Sequence, residues 1–99
     1  MIFEIEFTPD AWEHLQVFSA RDRAILLAEI ETQLRYEPHI QTRNRKSLQE
    51  NPLASWELRV GKFRVFYDVN DNNVKIVFII AIGIKERNRL FIGGKRFEL

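Results

Sequence analysis

The chain has 99 residues, 45% of them hydrophobic and 29% charged, with no cysteine and a formal net charge of +1. Its length suits one domain spanning residues 1–99, since domains commonly run to ~100–150 residues. Without cysteine there is no disulfide scaffold, no thiolate zinc site and no thiol nucleophile; His14 and His39 stand in no metal-ligand spacing, so no metal or other cofactor is expected. No apolar run reaches the ~18 residues of a membrane span, and Met1–Glu4 lacks a basic leader region. The expectation is a soluble, cytoplasmic protein with no membrane partner.

In chain order, Phe3, Ile5 and Phe7 alternate with Glu4 and Glu6, which predicts a half-buried strand. Thr8 is placed as a helix N-cap, with Pro9 at the first helical position. Ala11, Leu15 and Phe18 then form one apolar stripe. Ser19 and Asp22 have capping-box spacing and open a second helix, whose stripe is read as Ala24, Leu27, Ile30 and Leu34. That helix is expected to stop by Glu37, because a residue before proline is pushed out of the helical region. Two helices in direct succession make a helical hairpin.

Between Pro38 and Ser55 the periodicity lapses, and Thr42–Lys46 is basic and polar. Long connections in compact chains are often functional. Trp56–Val60 and Lys62–Val69 both alternate and flank Gly61, which predicts a tight hairpin. Asn70–Asn73 supplies the next turn, and Val74–Ile84 is almost continuously apolar, as a strand covered on both faces would be. Lys85–Arg89 reads as a charged tail. Beyond it, Gly93-Gly94 suits a two-residue turn, and a short terminal strand is preferred over a helix. The order β-α-α-β-β-β, with a possible short C-terminal strand, is an α+β layer fold with a largely antiparallel sheet.

Charge is divided unevenly along this order. Residues 1–37 carry eight acids and three bases, whereas residues 38–99 carry twelve bases and six acids. A basic half suits a polyanion, though solvated surface charge accounts for it equally well. Arg59 and Arg64 alternate out of the apolar set of the hairpin, so both guanidiniums are expected on one open sheet face beside Glu57. Lys85 leaves the next strand toward the same concavity, and Arg43, Arg45 and Lys46 enter it from the loop. Converging arginines suit phosphate, because the planar fork donates two parallel hydrogen bonds. Phe66 and Phe91 are candidate stacking faces for bases, and Arg87 a further RNA contact. The competing reading is a plain Glu57–Arg59 ion pair on the hairpin, worth ~0–1 kcal/mol.

The run Trp56-Glu57-Leu58-Arg59-Val60-Gly61-Lys62-Phe63-Arg64-Val65-Phe66-Tyr67-Asp68-Val69 resembles the signature hairpin of the RelE/ParE toxin superfamily. So does the strand ending Ile82-Gly83-Ile84-Lys85-Glu86-Arg87, and the upstream strand, helices and basic loop follow in the same order. The resemblance implies a RelE-like fold and a toxin of a type II toxin–antitoxin pair, neutralised by a cognate antitoxin. In the RelE branch it implies an endoribonuclease (an mRNA interferase) that cuts mRNA on the ribosome and so inhibits translation. The ParE branch implies inhibition of DNA gyrase instead, and a non-catalytic member that binds only RNA or an antitoxin is the third alternative.

By the same resemblance, Arg64 matches the arginine that contacts the scissile phosphate. Arg59 and Lys85 match further basic positions. Cleavage by the ribose 2′-hydroxyl needs a proton acceptor, cations for the developing charge and a proton donor for the leaving oxygen. Glu57 stands where RelE has a lysine, and Phe91 where RelE has a tyrosine. Arginine is too basic to accept a proton, so Glu57 or Lys46 would have to.

Overall fold

The computed structural model describes residues 2–98. Strand β1 (Glu4–Phe7) leads into helix α1 (Pro9–Gln16), and α2 (Ala20–Leu34) follows almost at once. The caps form as the sequence predicts: the Thr8 and Ser19 side chains accept the amides of Ala11 and Asp22, each at 3.1 Å. Strands β2 (Arg45–Ser47), β3 (Trp56–Val60), β4 (Phe63–Asp71), β5 (Lys75–Glu86), β6 (Arg89–Ile92) and β7 (Lys95–Phe97) complete the chain. They form one sheet in the order β2-β3-β4-β5-β6-β7, antiparallel throughout, with β1 added in parallel to β5. This is the expected α+β arrangement, extended by strands in two segments that were read as loop and tail.

Strand β5 is long enough to take two neighbours on one edge. Its first part pairs with β1 from Ile76 to Ile79, and its last part pairs with β6 from Gly83 to Glu86. A bulge separates the halves: Phe66 pairs with Ala81 and Tyr67 with Ile79, leaving Ile80 as the extra residue. The bulge breaks the period of two. Val77, Ile79, Ile82 and Ile84 therefore all join the core under the helices.

That core also takes Ala11 and Leu15 of α1, Leu26, Ile30 and Leu34 of α2, and Leu58, Val60, Phe63, Val65 and Tyr67 of the hairpin. The stripe expected on α2 is corrected. Ala24 and Leu27 are exposed, and Leu26 occupies the buried position instead. Both residues lie one turn before Ile30 and both are apolar or nearly so, hence spacing alone does not choose between Leu26 and Leu27.

The second face of the sheet is not open as expected. Phe66 and Ala81 are buried there under Leu48, Leu53 and Ala54 of the 48–54 loop and under Leu90, Ile92 and Phe97. The β6–β7 hairpin curls over this face because Gly83 lets it approach. A Cβ on Gly83 would lie 2.5 Å from the Phe91 carbonyl oxygen, closer than real Cβ atoms come. Among the described residues, no helix is long and apolar enough to cross a membrane.

Candidate functional site

The site lies where the β3–β4 hairpin meets the curled C-terminal strands. Arg59 and Arg64 are direct partners in the β3–β4 register. Alternation places both on the face away from the helices, with Glu57. Two like charges directly opposite repel, and Glu57 answers both. Its Oε2 lies 3.9 Å from Arg59 Nε, and its Oε1 lies 3.7 Å from Arg64 Nε. Among the described residues, Glu57 is the single charged residue in the buried class, at 8% exposure.

The two arginines differ in freedom. The Arg59 side chain is 46% exposed and the Arg64 side chain 12%. Arg64 folds back on its own turn, where Nη1 donates to the carbonyls of Gly61 and Phe63, both at 2.8 Å. Gly61 adopts a φ of +56° to make that turn. Arg64 Nε is buried without a hydrogen-bond partner. Burial pulls the proton affinity of Arg64 below its ordinary value, Glu57 opposes that shift, and Arg59 adds to it. Arginine stays charged at neutral pH all the same.

Beside Glu57 opens a polar cavity of about 350 Å³, lined by Lys85, Arg89 and Arg96 over Leu90 and Phe97. Lys85 arrives here as expected. Arg89 and Arg96 were not singled out by sequence, although they bracket the two short strands that the Gly93-Gly94 turn implies. Arg96 pairs with Glu98 at 3.4 Å. Among the described residues, Lys85 and Arg89 have no acidic partner within 4 Å.

The other expected residues do not all converge. Arg45 is committed elsewhere: its Nη1 donates to the carbonyls of Gln33 and Tyr36, at 2.7 and 3.1 Å, and closes the end of α2. Arg43 is exposed in the turn before β2, and Lys46 lies opposite Glu57 in the β2–β3 register. Arg87 forms the exposed β5–β6 turn with Asn88, both at positive φ. Phe66 is fully buried and has no face to offer a base. Phe91 pairs with Ile84 and lines a separate apolar cavity of about 500 Å³ with Val17, Phe18 and Ile82. It faces the helices, away from Glu57, so the two proposed stacking faces are both corrected.

Chemically, the arrangement suits holding an anion better than moving a proton. Among the described residues, the cavity lining contains no imidazole, phenol or hydroxyl group. His14 accepts the Ile82 amide, His39 lies 3.3 Å from Asp71, and Tyr67 donates to the Pro38 carbonyl. Among the described residues no group of acids and histidines is placed to bind a metal.

A family profile described as the ParE toxin of the type II toxin–antitoxin system parDE matches residues 5–89. The chain belongs to the ParE toxin family. Its match takes in the helical hairpin, the Glu57–Arg59–Arg64 cluster and Lys85, and ends at Arg89. Among solved structures, the ParE-family chain is similar to one from the RelBE2 toxin–antitoxin complex of Mycobacterium tuberculosis. The TM-score is 0.73 at 22% identity, over 86% of this chain and 93% of the other. That likeness fixes a RelE-like fold. No curated protein gives a significant match.

Proposed function

We propose that this ParE-family toxin halts growth by occupying its target in the cytoplasm, DNA gyrase being the target that the ParE branch implies. In this reading it does not cut RNA. The observation that carries the reading is the Glu57 carboxylate lodged between Arg59 and Arg64, beside a cavity whose lining, among the described residues, has no imidazole, phenol or hydroxyl. Cleavage would need an acceptor, a donor and free cations together. Here the arginine matched to the phosphate contact is turned onto its own backbone. A cognate antitoxin neutralises the toxin.

Regulated expression in a bacterial host tests this. Filamentation with DNA damage, intact mRNA and continuing translation is the expected result; translation arrest with mRNA cut within codons would overturn it. A small open reading frame abutting this gene would supply the antitoxin, whose co-expression restores growth.

A second reading, a ribosome-dependent mRNA endoribonuclease, draws on one observation: Lys85 and Arg89 stand unpaired next to a carboxylate. There Glu57 would accept the 2′-hydroxyl proton. In that case Glu57→Gln abolishes toxicity and mRNA cutting together, whereas a gyrase-binding toxin cuts no mRNA and keeps its toxicity when a base is lost.

A further inference from the structure

We infer that Glu57 is a built-in counter-ion occupying a latent phosphate-binding site, and that removing its charge opens that site to a phosphate group. This rests on the geometry behind the proposed function but not on the identity of the toxin's target.

Three observations lead to it. Arg59 and Arg64 face each other directly across the hairpin, an arrangement that calls for an anion between them. The carboxylate that fills this place serves neither well, since 3.7 and 3.9 Å are beyond hydrogen-bond length. Arg64 Nε is left buried and unpaired. On its other side Glu57 borders the cavity of Lys85, Arg89 and Arg96, in which Lys85 and Arg89 make no ion pair among the described residues. Two carboxylates thus stand among five cations: Glu98, exposed at the rim and paired with Arg96, and Glu57, buried at the centre.

A phosphate group suits such a place better than a carboxylate does. It has more oxygens, spread in three dimensions, and arginine and lysine bind it through charge-assisted hydrogen bonds. While Glu57 is ionised, an entering phosphate meets a fixed negative charge at the centre of the cluster. The native chain therefore discriminates against phosphate although Lys85 and Arg89 stand beside the carboxylate without an acidic partner among the described residues. Glu57 is in this sense a specificity-determining residue, and the charge it carries decides which partners the face accepts.

The test compares thermal melts of wild type, Glu57→Gln and Glu57→Ala in sodium phosphate and in sodium chloride of equal ionic strength. A ligand that binds only the folded form raises the melting temperature with concentration. The expected result is a phosphate-specific rise for Glu57→Gln that wild type lacks, corresponding to at least about tenfold tighter binding. Adding Lys85→Gln to the Glu57→Gln chain is expected to reduce that rise.

Because phosphate also strengthens folding without binding a site, a variant that unfolds in chloride and folds in phosphate supports the inference when adding Lys85→Gln removes the rescue, and overturns it when the rescue persists. Equal responses from wild type and both variants would overturn it. So would failure of both variants to fold in either salt, because phosphate would then be unable to replace the carboxylate. A short single-stranded RNA serves as second probe. If it binds Glu57→Gln more tightly than inorganic phosphate does, the site takes a phosphodiester chain; if it binds less tightly, the site takes a lone phosphate. Growth phenotypes play no part in this result, so it fails or stands apart from the gyrase reading.

Discussion

His14 on α1 accepts the backbone amide of Ile82 through Nδ1 at 3.2 Å, across 68 residues of chain. The amide lies between the end of the β1 pairing at Ile79 and the start of the β6 pairing at Gly83, where the edge of β5 opposite β4 has no strand beside it. Just upstream, Thr8 covers the same gap, donating its amide to the Ile79 carbonyl and its hydroxyl to the Ile80 carbonyl. A neutral imidazole accepting at Nδ1 carries its hydrogen on Nε2. His14→Leu keeps the bulk but leaves the buried Ile82 amide unpaired, a loss of about 1–3 kcal/mol. Urea unfolding should show it as a lower midpoint at unchanged slope.

Arg45 and Arg43 are neighbours in sequence but differ in what they do. Arg45→Ala removes the donor to the Gln33 and Tyr36 carbonyls. Charged hydrogen bonds of this kind are worth about 1.5–3 kcal/mol, and the variant should lose a comparable amount of stability. Arg43→Ala, in an exposed turn, should stay within about 0.5 kcal/mol of wild type. Parallel melts of the two variants check the contrast.

Gly83→Ala should be among the more damaging single-methyl changes in this chain. The added carbon meets the Phe91 backbone at 2.5 Å and the Ile92 side chain at 2.9 Å, so β6 has to shift. Overpacking of this kind costs about 1–3 kcal/mol. Hydrogen exchange should report the damage first at the amides of residues 89–97.

Tyr67 donates its hydroxyl to the Pro38 carbonyl at 2.8 Å, and burial raises its pKa well above the ordinary value. A raised folded value means that the unfolded chain gives up this proton first as pH rises. The stability tied to the neutral phenol is therefore complete below pH ~10 and is lost as pH climbs toward the folded value. Tyr67→Phe should cost about 0.5–1.5 kcal/mol at pH 7 through the lost bond. It should also fall less steeply than wild type between pH 10 and 11, as measured by urea unfolding.

Much of this architecture is legible in the sequence because it is local. Thr8-Pro9 and Ser19-x-x-Asp22 set the helix starts, and Gly61 and Gly93-Gly94 set two turns with positive φ. The convergence of Arg59, Arg64, Glu57 and Lys85 was likewise readable from alternation about Gly61. What escaped depends on register. The β5–β6 turn uses Arg87-Asn88 at positive φ in place of the glycine pair that usually marks such turns. With that turn unread, Lys85–Arg89 looked like a tail, and the pairing of Phe91 with Ile84, which turns Phe91 toward the helices, was hidden. Arg45 escaped for another reason. Its bonds go to the end of a helix about ten residues upstream, and no periodicity records a side chain that reaches back onto backbone. The burial of Phe66 was invisible because its cover comes from the irregular 48–54 loop.

The edge of β5 is closed by segments from opposite ends of the sequence, residues 4–7 along one half and residues 89–92 along the other. The first closure joins residues about seventy positions apart in parallel, and such distant pairing forms slowly during folding. Until both have docked, an apolar ribbon with free amides and carbonyls is available to any passing chain, an invitation to intermolecular strand exchange. Glu4 and Glu6, exposed on the incoming strand, add charge at the finished rim that discourages a further copy from stacking on.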